Sequence, residues 1–454
     1  MTGILNKADA YKMAFRAQDI TSAPMRKAIK DWYQLYFLQE RTKDEDPCQQ
    51  IPNTIVKKLT KATFSEYSAA SKDAFAAQVL KELWMAIPEG MQHALIGGIS
   101  YLKPVPTKNG FRFLTVRRNN LLIFGRDPWG ELTDIGSAEV TVHDKFYYTL
   151  LERRMVDAGG YLTIKCALYR SYSETDLGQP VPLNTLAQYA NIPDVYTFPQ
   201  PVGSVGLIPV RVPIENCVDG SKDAVSVYAA AAGLIHNINR NEAQLNGEFE
   251  RGESRIVVDS DMLKKDKDGN RAFSDHIFTG VEGNGIDSVG VTIFSPALRV
   301  DAFETRKQDY LRSVENIIGL KRGLLSEVEA VERTAKEITS SEGDYSLTIT
   351  DLQDMWEKAI WETLRVCGVL GQMYRISGAH EVAEDQVVIS WGNGILYDEE
   401  KTRQQKLGEV QAGLLQPERY LGHVYNLPCD TPSQRAKIRK DYMPEVAAEL
   451  EEDE

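Results

Sequence analysis

No apolar run in this sequence is long enough to cross a bilayer. The longest, Val227-Tyr-Ala-Ala-Ala-Ala-Gly-Leu-Ile235, is about half of the ~20 residues a membrane helix needs. The N-terminus, Met1-Thr-Gly-Ile-Leu-Asn-Lys7, begins polar, so neither a membrane span nor a secretory signal is expected. Cysteine is scarce: Cys48, Cys166, Cys217, Cys367 and Cys429 are odd in number, lie far apart and form no C-x-x-C pair. That pattern argues against a disulfide framework and a structural zinc, and it fits folding in a reducing cytoplasm. Positive charge is in deficit, with 52 Lys and Arg against 65 Asp and Glu and a formal net charge of −13. Long-lived attraction to phosphates therefore cannot be the main task of the surface, and any DNA that meets it should slide rather than stick.

Short catalytic signatures are missing as well. There is no G-x-x-x-x-G-K-[ST] loop, which disfavours a P-loop ATPase such as a packaging motor, and no H-E-x-x-H, G-x-S-x-G or G-x-G-x-x-G. The six histidines are scattered and carry no expected metal or catalytic role. Asp266-x-Asp268-x-Asn270 begins like a calcium loop, but Arg271 stands at its sixth position and Ile277 at its twelfth, where Gly and Glu are required. No cofactor is expected.

What is present is an ordinary globular balance over 454 residues, 43% hydrophobic and 26% charged, enough for about three compact units with cores. The first 90 or so residues read as amphipathic helices. Ser22-Ala-Pro24 supplies a cap and a first-turn proline before Met25, Ile29, Trp32, Tyr33, Tyr36 and Phe37, and further helical runs follow Pro52 and Phe75. From Ile96 to Val212 the texture becomes antiparallel sheet: Phe111 to Val116, Leu121 to Phe124, Phe146 to Arg153 and Tyr161 to Ser171. Asn119-Asn120, Asp127-Pro-Trp-Gly130 and Ala158-Gly-Gly160 supply turns. After Pro213 the pattern is helical, with Val225, Tyr228, Ala231, Leu234, Ile235, Ile238, Leu245 and Phe249 on one face of a helix about 40 Å long.

Two strand-like runs, Arg255-Ile-Val-Val258 and Val289-Gly-Val-Thr-Ile-Phe294, follow, and helix returns through Phe303, Tyr310, Leu311, Val314, Ile317 and Ile318. A helix out, a strand-bearing tip and a helix back is an unusual layout for an enzyme, and helices of this kind need neighbours for their apolar faces. A loop, Gly319-Leu-Lys-Arg-Gly-Leu-Leu-Ser-Glu-Val-Glu-Ala-Val-Glu332, leads to Thr334-Ala-Lys-Glu337, which has capping-box spacing, and to a helix of about 40 residues ending near Tyr374, with Gly343 its weak point. Gln386 to Trp391 reads as a strand. Three short helices, Asp398 to Ala412, Pro417 to Tyr425 and Pro432 to Tyr442, precede an acidic tail from Glu445.

Several stretches, in order, resemble the portal proteins of tailed bacteriophages of the siphovirus type. Gly206-Leu-Ile-Pro-Val-Arg-Val-Pro-Ile-Glu-Asn216 with Asp219 and Ser226-Val-Tyr228 is similar to the entry into that family's first stem helix. Asn246-Gly-Glu-Phe-Glu-Arg-Gly252 with Arg255 to Val258 is similar to the exit into its clip. Arg333-Thr-Ala-Lys-Glu-Ile338 with Ser340-Ser-Glu342 resembles the start of its long wing helix, with Lys336 where the family more often has Thr. Asp398-Glu-Glu-Lys401, Val410-Gln-Ala-Gly-Leu-Leu415 and Tyr420 resemble its C-terminal block.

The resemblance implies an α+β portal fold, mainly helical with small antiparallel sheets, assembling as a ring, usually of twelve copies. Its parts would be a first wing portion over 1–220, stem helix 1 over 221–252, clip over 253–296, stem helix 2 over 297–318, a second wing portion with tunnel loop and long helix over 319–397, and crown and acidic tail over 398–454. It further implies a non-enzymatic head-to-tail connector at one capsid vertex of the virion, assembled in the bacterial host cytoplasm. Double-stranded DNA would be packaged and later ejected through it. The implied partners are other copies of the chain, that DNA, the terminase, the head-tail adaptor, and the major capsid and scaffolding proteins, with no membrane. The tunnel loop would bring Lys321, Arg322 and Arg333 to the DNA, with the acidic Glu327, Glu329 and Glu332 lining the channel and limiting residence. Clip residues from Lys264 to Phe294 would face the terminase and the adaptor. The competing readings are a scaffold or adaptor that binds proteins through its long helices, and a metal-dependent nucleic-acid enzyme. On spacing alone, the three glutamates read as a solvated loop rather than as an acid/base site.

Overall fold

A computed structural model describes residues 7–38, 47–252, 255–258, 264–265, 271–272, 291–294, 297–327, 335–391, 399–425, 429 and 431–443. The chain divides into two compact units, Met1–Asn393 and Gly394–Glu454. Among the described residues, no helix is long and apolar enough to cross a membrane.

The first unit opens with helices α1 (Lys7–Phe15), α2 (Ala23–Tyr36) and α3 (Ile51–Thr63), strand β1 (Ser68–Ser71) and helix α4 (Ala74–Gly97). The cap read at Ser22 is present: its hydroxyl accepts the Met25 amide at 3.2 Å, and a proline sits in the first turn. Asp73 caps α4 in the same way, accepting the Ala76 amide at 2.7 Å. Strands β2 (Ile99–Thr107) and β3 (Gly110–Arg117) form a hairpin. Strands β4 (Leu121–Arg126), β5 (Leu132–His143), β6 (Phe146–Val156), β7 (Leu162–Ser171) and β8 (Gln179–Val181) form an antiparallel meander in that order, with β9 (Val195–Thr197) also pairing β7. Strand β10 (Ile208–Arg211) returns to pair with β2.

Strand β5 is absent from the sequence reading although it lies between β4 and β6. Its polar, Gly-containing stretch has no clear alternation because Gly136 is needed where a side chain would collide. A Cβ there would lie 2.5 Å from the ring of Tyr11, whose buried hydroxyl donates to the Glu152 carbonyl at 2.9 Å.

The helix expected to contain Val225 and Tyr228 begins later, as α5 (Ala232–Arg251), about 30 Å long. Residues 224–228 are instead held down as a buried connector. The Ser226 hydroxyl and the Val227 amide both donate to the Leu95 carbonyl at 3.0 Å, and the Tyr228 hydroxyl donates to the Trp32 carbonyl at 2.9 Å. Gly98, at φ +81°, permits this, since a Cβ would come within 2.5 Å of the Val225 backbone.

Beyond α5 come β11 (Arg255–Val258), β12 (Lys264–Lys265), β13 (Arg271–Ala272) and β14 (Val291–Phe294), then α6 (Val300–Ile318). The two expected strand runs pair antiparallel, Arg255 opposite Phe294 and Val258 opposite Val291, and β12 pairs with β13. Helices α5 and α6 are joined side by side. Asn241 donates to the Phe303 carbonyl at 3.1 Å, Lys307 meets Glu242 at 3.0 Å, and Arg299 clasps Glu248 at 3.0 and 2.8 Å.

Val314 and Ile318 do not wait for a neighbouring molecule. They belong to the chain's own core, together with Ile349 and Leu352 of α7 (Ala335–Met373). That helix matches the expected long one, about 58 Å over its 39 residues. Gly343 is exposed on it with open space around. Trp356 is fully buried, its indole N–H toward the Met91 sulfur at 3.0 Å and its ring against Gly90 of α4. Strand β15 (Val387–Ser390) then pairs antiparallel with β1.

The second unit holds α8 (Glu399–Gln411), α9 (Pro417–Val424) and α10 (Pro432–Tyr442). Thr431 and Gln434 form a reciprocal capping box on α10, and Arg439 donates to the buried Glu418 carboxylate at 2.5 Å. The acidic tail from Glu445 lies outside the described residues.

Candidate functional site: a loop wrapped on a buried carboxylate

The loop after α6 begins with a glycine stop. Gly319 adopts φ +75°, its amide and that of Leu320 both returning to the Glu315 carbonyl, the latter at 2.8 Å. A side chain at 319 would run into Thr348 of α7, whose hydroxyl donates to the Gly319 carbonyl at 3.2 Å. The helix end is thus pinned to the long helix.

Within the next turn the backbone closes around one side chain. Glu315 is fully buried, and its Oε1 accepts the amides of Gly323 at 3.1 Å, Leu325 at 2.5 Å and Ser326 at 2.9 Å, while Oε2 accepts the Ser326 hydroxyl at 2.7 Å. Successive amides aimed at one oxygen make a nest of the kind that binds anions, and here the anion is the chain's own. Gly323, at φ +88°, allows the bend. Leu320 is buried, and Leu324 and Leu325 pack on the main core. The Glu327 amide is tied back to Gln308 of α6 at 2.9 Å.

Of the expected site residues, Lys321 is half-buried, while Arg322 and Glu327 are exposed. They share the surface of this wrapped turn. Arg333, Glu329 and Glu332 lie outside the described residues, as does most of the segment from Lys264 to Phe294 apart from its short strands.

Glu315 was not among the sequence candidates. Its signal is positional: it stands with Leu311, Val314 and Ile318 at the spacing of the buried face of α6, the one acid in that stripe. An acid at a core position requires donors, and a glycine-containing loop only a few residues away can provide backbone amides.

No family model matches the sequence, and no curated protein matches it. A similar solved structure is the neck of a native GTA particle computed with C12 symmetry: 14% identity, a TM-score of 0.45, and coverage of 93% of this chain and 98% of that one.

Proposed function

We propose that this chain is the subunit of a portal-type ring, a non-catalytic conduit for double-stranded DNA at one vertex of a phage capsid. The observation that carries the reading is the excursion between residues 232 and 318. Two helices joined side by side, α5 and α6, bracket an antiparallel strand pair, β11 with β14, between the stretches of sequence that resemble a portal's stem and clip. In this reading α5 and α6 are the stem, the strands between them belong to the clip that docks the terminase and later the head-tail adaptor, and the first unit outside them is the wing. Capsid and scaffolding proteins surround the ring in the assembling head.

The charge balance supports passage rather than capture. A net charge of −13 per copy repels phosphate at long range, and Lys321 and Arg322 on the wrapped loop offer brief contacts. Glu315 holds that loop in one shape, so the two cations are presented from a fixed backbone.

The mass of the purified chain in solution, with negatively stained images of the same sample, tests the architecture. Closed rings of about twelve 50.9 kDa subunits with a central hole are expected. A monomer at every concentration, with or without scaffold protein, overturns the reading. For the loop, Lys321→Ala with Arg322→Ala should leave rings intact and lower DNA filling of heads; normal filling removes the loop's assigned role.

A further inference from the structure

The paired helices carry charges that have no ionic partner among the described residues, and on α6 these stand on opposite sides. Several ionic groups on α5 and α6 and at their ends are matched internally: Lys307 with Glu242, Arg299 with Glu248, Arg312 with Asp309. Arg240 and Arg306 are exposed and have no carboxylate partner among the described residues. Asp301 and Glu304 are exposed with no cationic partner among them.

The two arginines line one groove of about 390 Å³ between the helices, with Asn241, Gln244, Phe303 and Tyr310. Arg306 is held there over the Tyr310 ring, 4.2 Å from its centroid. At 100° per residue, Glu304 lies about 160° round α6 from Arg306, and Asp301 about 140°. The α6 groups without an ionic partner thus stand on opposite sides of the helix, while Asp309 and Arg312, which lie on neither side exclusively, answer each other.

Their heights agree as well. Along α6, Glu304 is about 3 Å and Asp301 about 7.5 Å from the level of Arg306, offsets that an extended arginine spans. Arg240 shares that level, because the neighbouring Asn241 bonds the Phe303 carbonyl at 3.1 Å.

We infer that the groove of Arg240 and Arg306 receives Asp301 and Glu304 from a second copy of this chain, in a head-to-tail contact between adjacent helix pairs. The inference rests on the ring reading above and names its seam. A two-fold partner would set like sides together, whereas a head-to-tail partner satisfies both sides of every copy and closes when the rotation does. Double-stranded DNA would answer the arginines alone and be repelled by acids on the far side. Copies of a chain this acidic repel one another, so a seam of opposite charge also selects the approach that leads to assembly.

The test uses four full-length proteins, the wild type, R240E/R306E, D301K/E304K and the fourfold exchange, compared by native mass spectrometry and thermal melting. All four substituted positions are exposed, so every variant should keep a folded subunit that melts cooperatively. The wild type and the fourfold exchange should form rings. Each double variant alone should lose them, and an equimolar mixture of the two should regain them as alternating rings. Rings from both double variants alone overturn the seam while the ring reading stands. Intact R240E/R306E rings that fail only in DNA filling assign the arginines to the channel and equally overturn it. A wild type that never forms rings removes both.

Discussion

Glu315 and Ser326 are joined twice, amide to Oε1 at 2.9 Å and hydroxyl to Oε2 at 2.7 Å, across a loop that turns back on its own helix. The two contacts make the loop's shape a property of a single buried acid rather than of the surface it exposes.

Glu315→Ala should therefore destabilise the first unit by about 3 kcal/mol or more, since three amides and a hydroxyl lose a charged acceptor in a buried place. Ser326→Ala, which leaves the amides satisfied, should cost about 1 kcal/mol. Urea unfolding measures the difference. Amide hydrogen exchange at 323, 325 and 326 should rise sharply in Glu315→Ala and little in Ser326→Ala; equal protection in the two would mean that the carboxylate does not organise the loop.

Val314→Asp should impair folding of the single chain, not merely its association. The side chain is fully buried in the subunit's own core with Ile349 and Leu352, and an unpaired carboxylate there costs several kcal/mol. Far-UV circular dichroism and a melting curve on dilute protein decide the matter: a fully folded monomer would place Val314 at an interface instead.

Stability should fall with acid in two steps that separate variants distinguish. Burial pushes the His93 imidazole down from 6.5 to about 3, with Arg117 adding to the effect. Because the unfolded chain takes up that proton first, stability is lost as pH drops from 6.5 toward 3. For Glu152, burial raises the carboxyl, but Arg154 and Lys103, at 2.7 and 2.8 Å, outweigh it and hold the group at about 2. Its contribution is present above 4.5 and is lost as pH falls from there to about 2. His93→Gln should flatten the first part of the urea midpoint against pH, and Glu152→Gln the second; unchanged slopes in both variants would refute the assignments.

Local grammar was legible. Ser22 and Pro24 announced α2, the Val, Ile and Phe runs announced most of the strands, and the seam from Ile349 to Leu370 announced α7. What was not legible depended on residues far apart in the chain. Strand β5 looks irregular until Tyr11 is seen against Gly136. The stretch from Val225 to Tyr228 has helical spacing, but carbonyls at Leu95 and Trp32 capture its donors. Glu315 likewise reads as one more acid of an acidic protein until its loop closes over it. The loop cations Lys321 and Arg322 could be nominated from order along the chain, but their backbone support could not.

The pairing of β1 with β15 has a consequence for synthesis. Ser68 lies opposite Ser390, so a strand made early on the ribosome waits while roughly 320 further residues emerge. Until then α4 lacks the long helix whose Trp356 covers Gly90. Such distant contacts slow folding, and the nascent chain would expose an unsealed apolar face for most of its translation, a natural client for a chaperone.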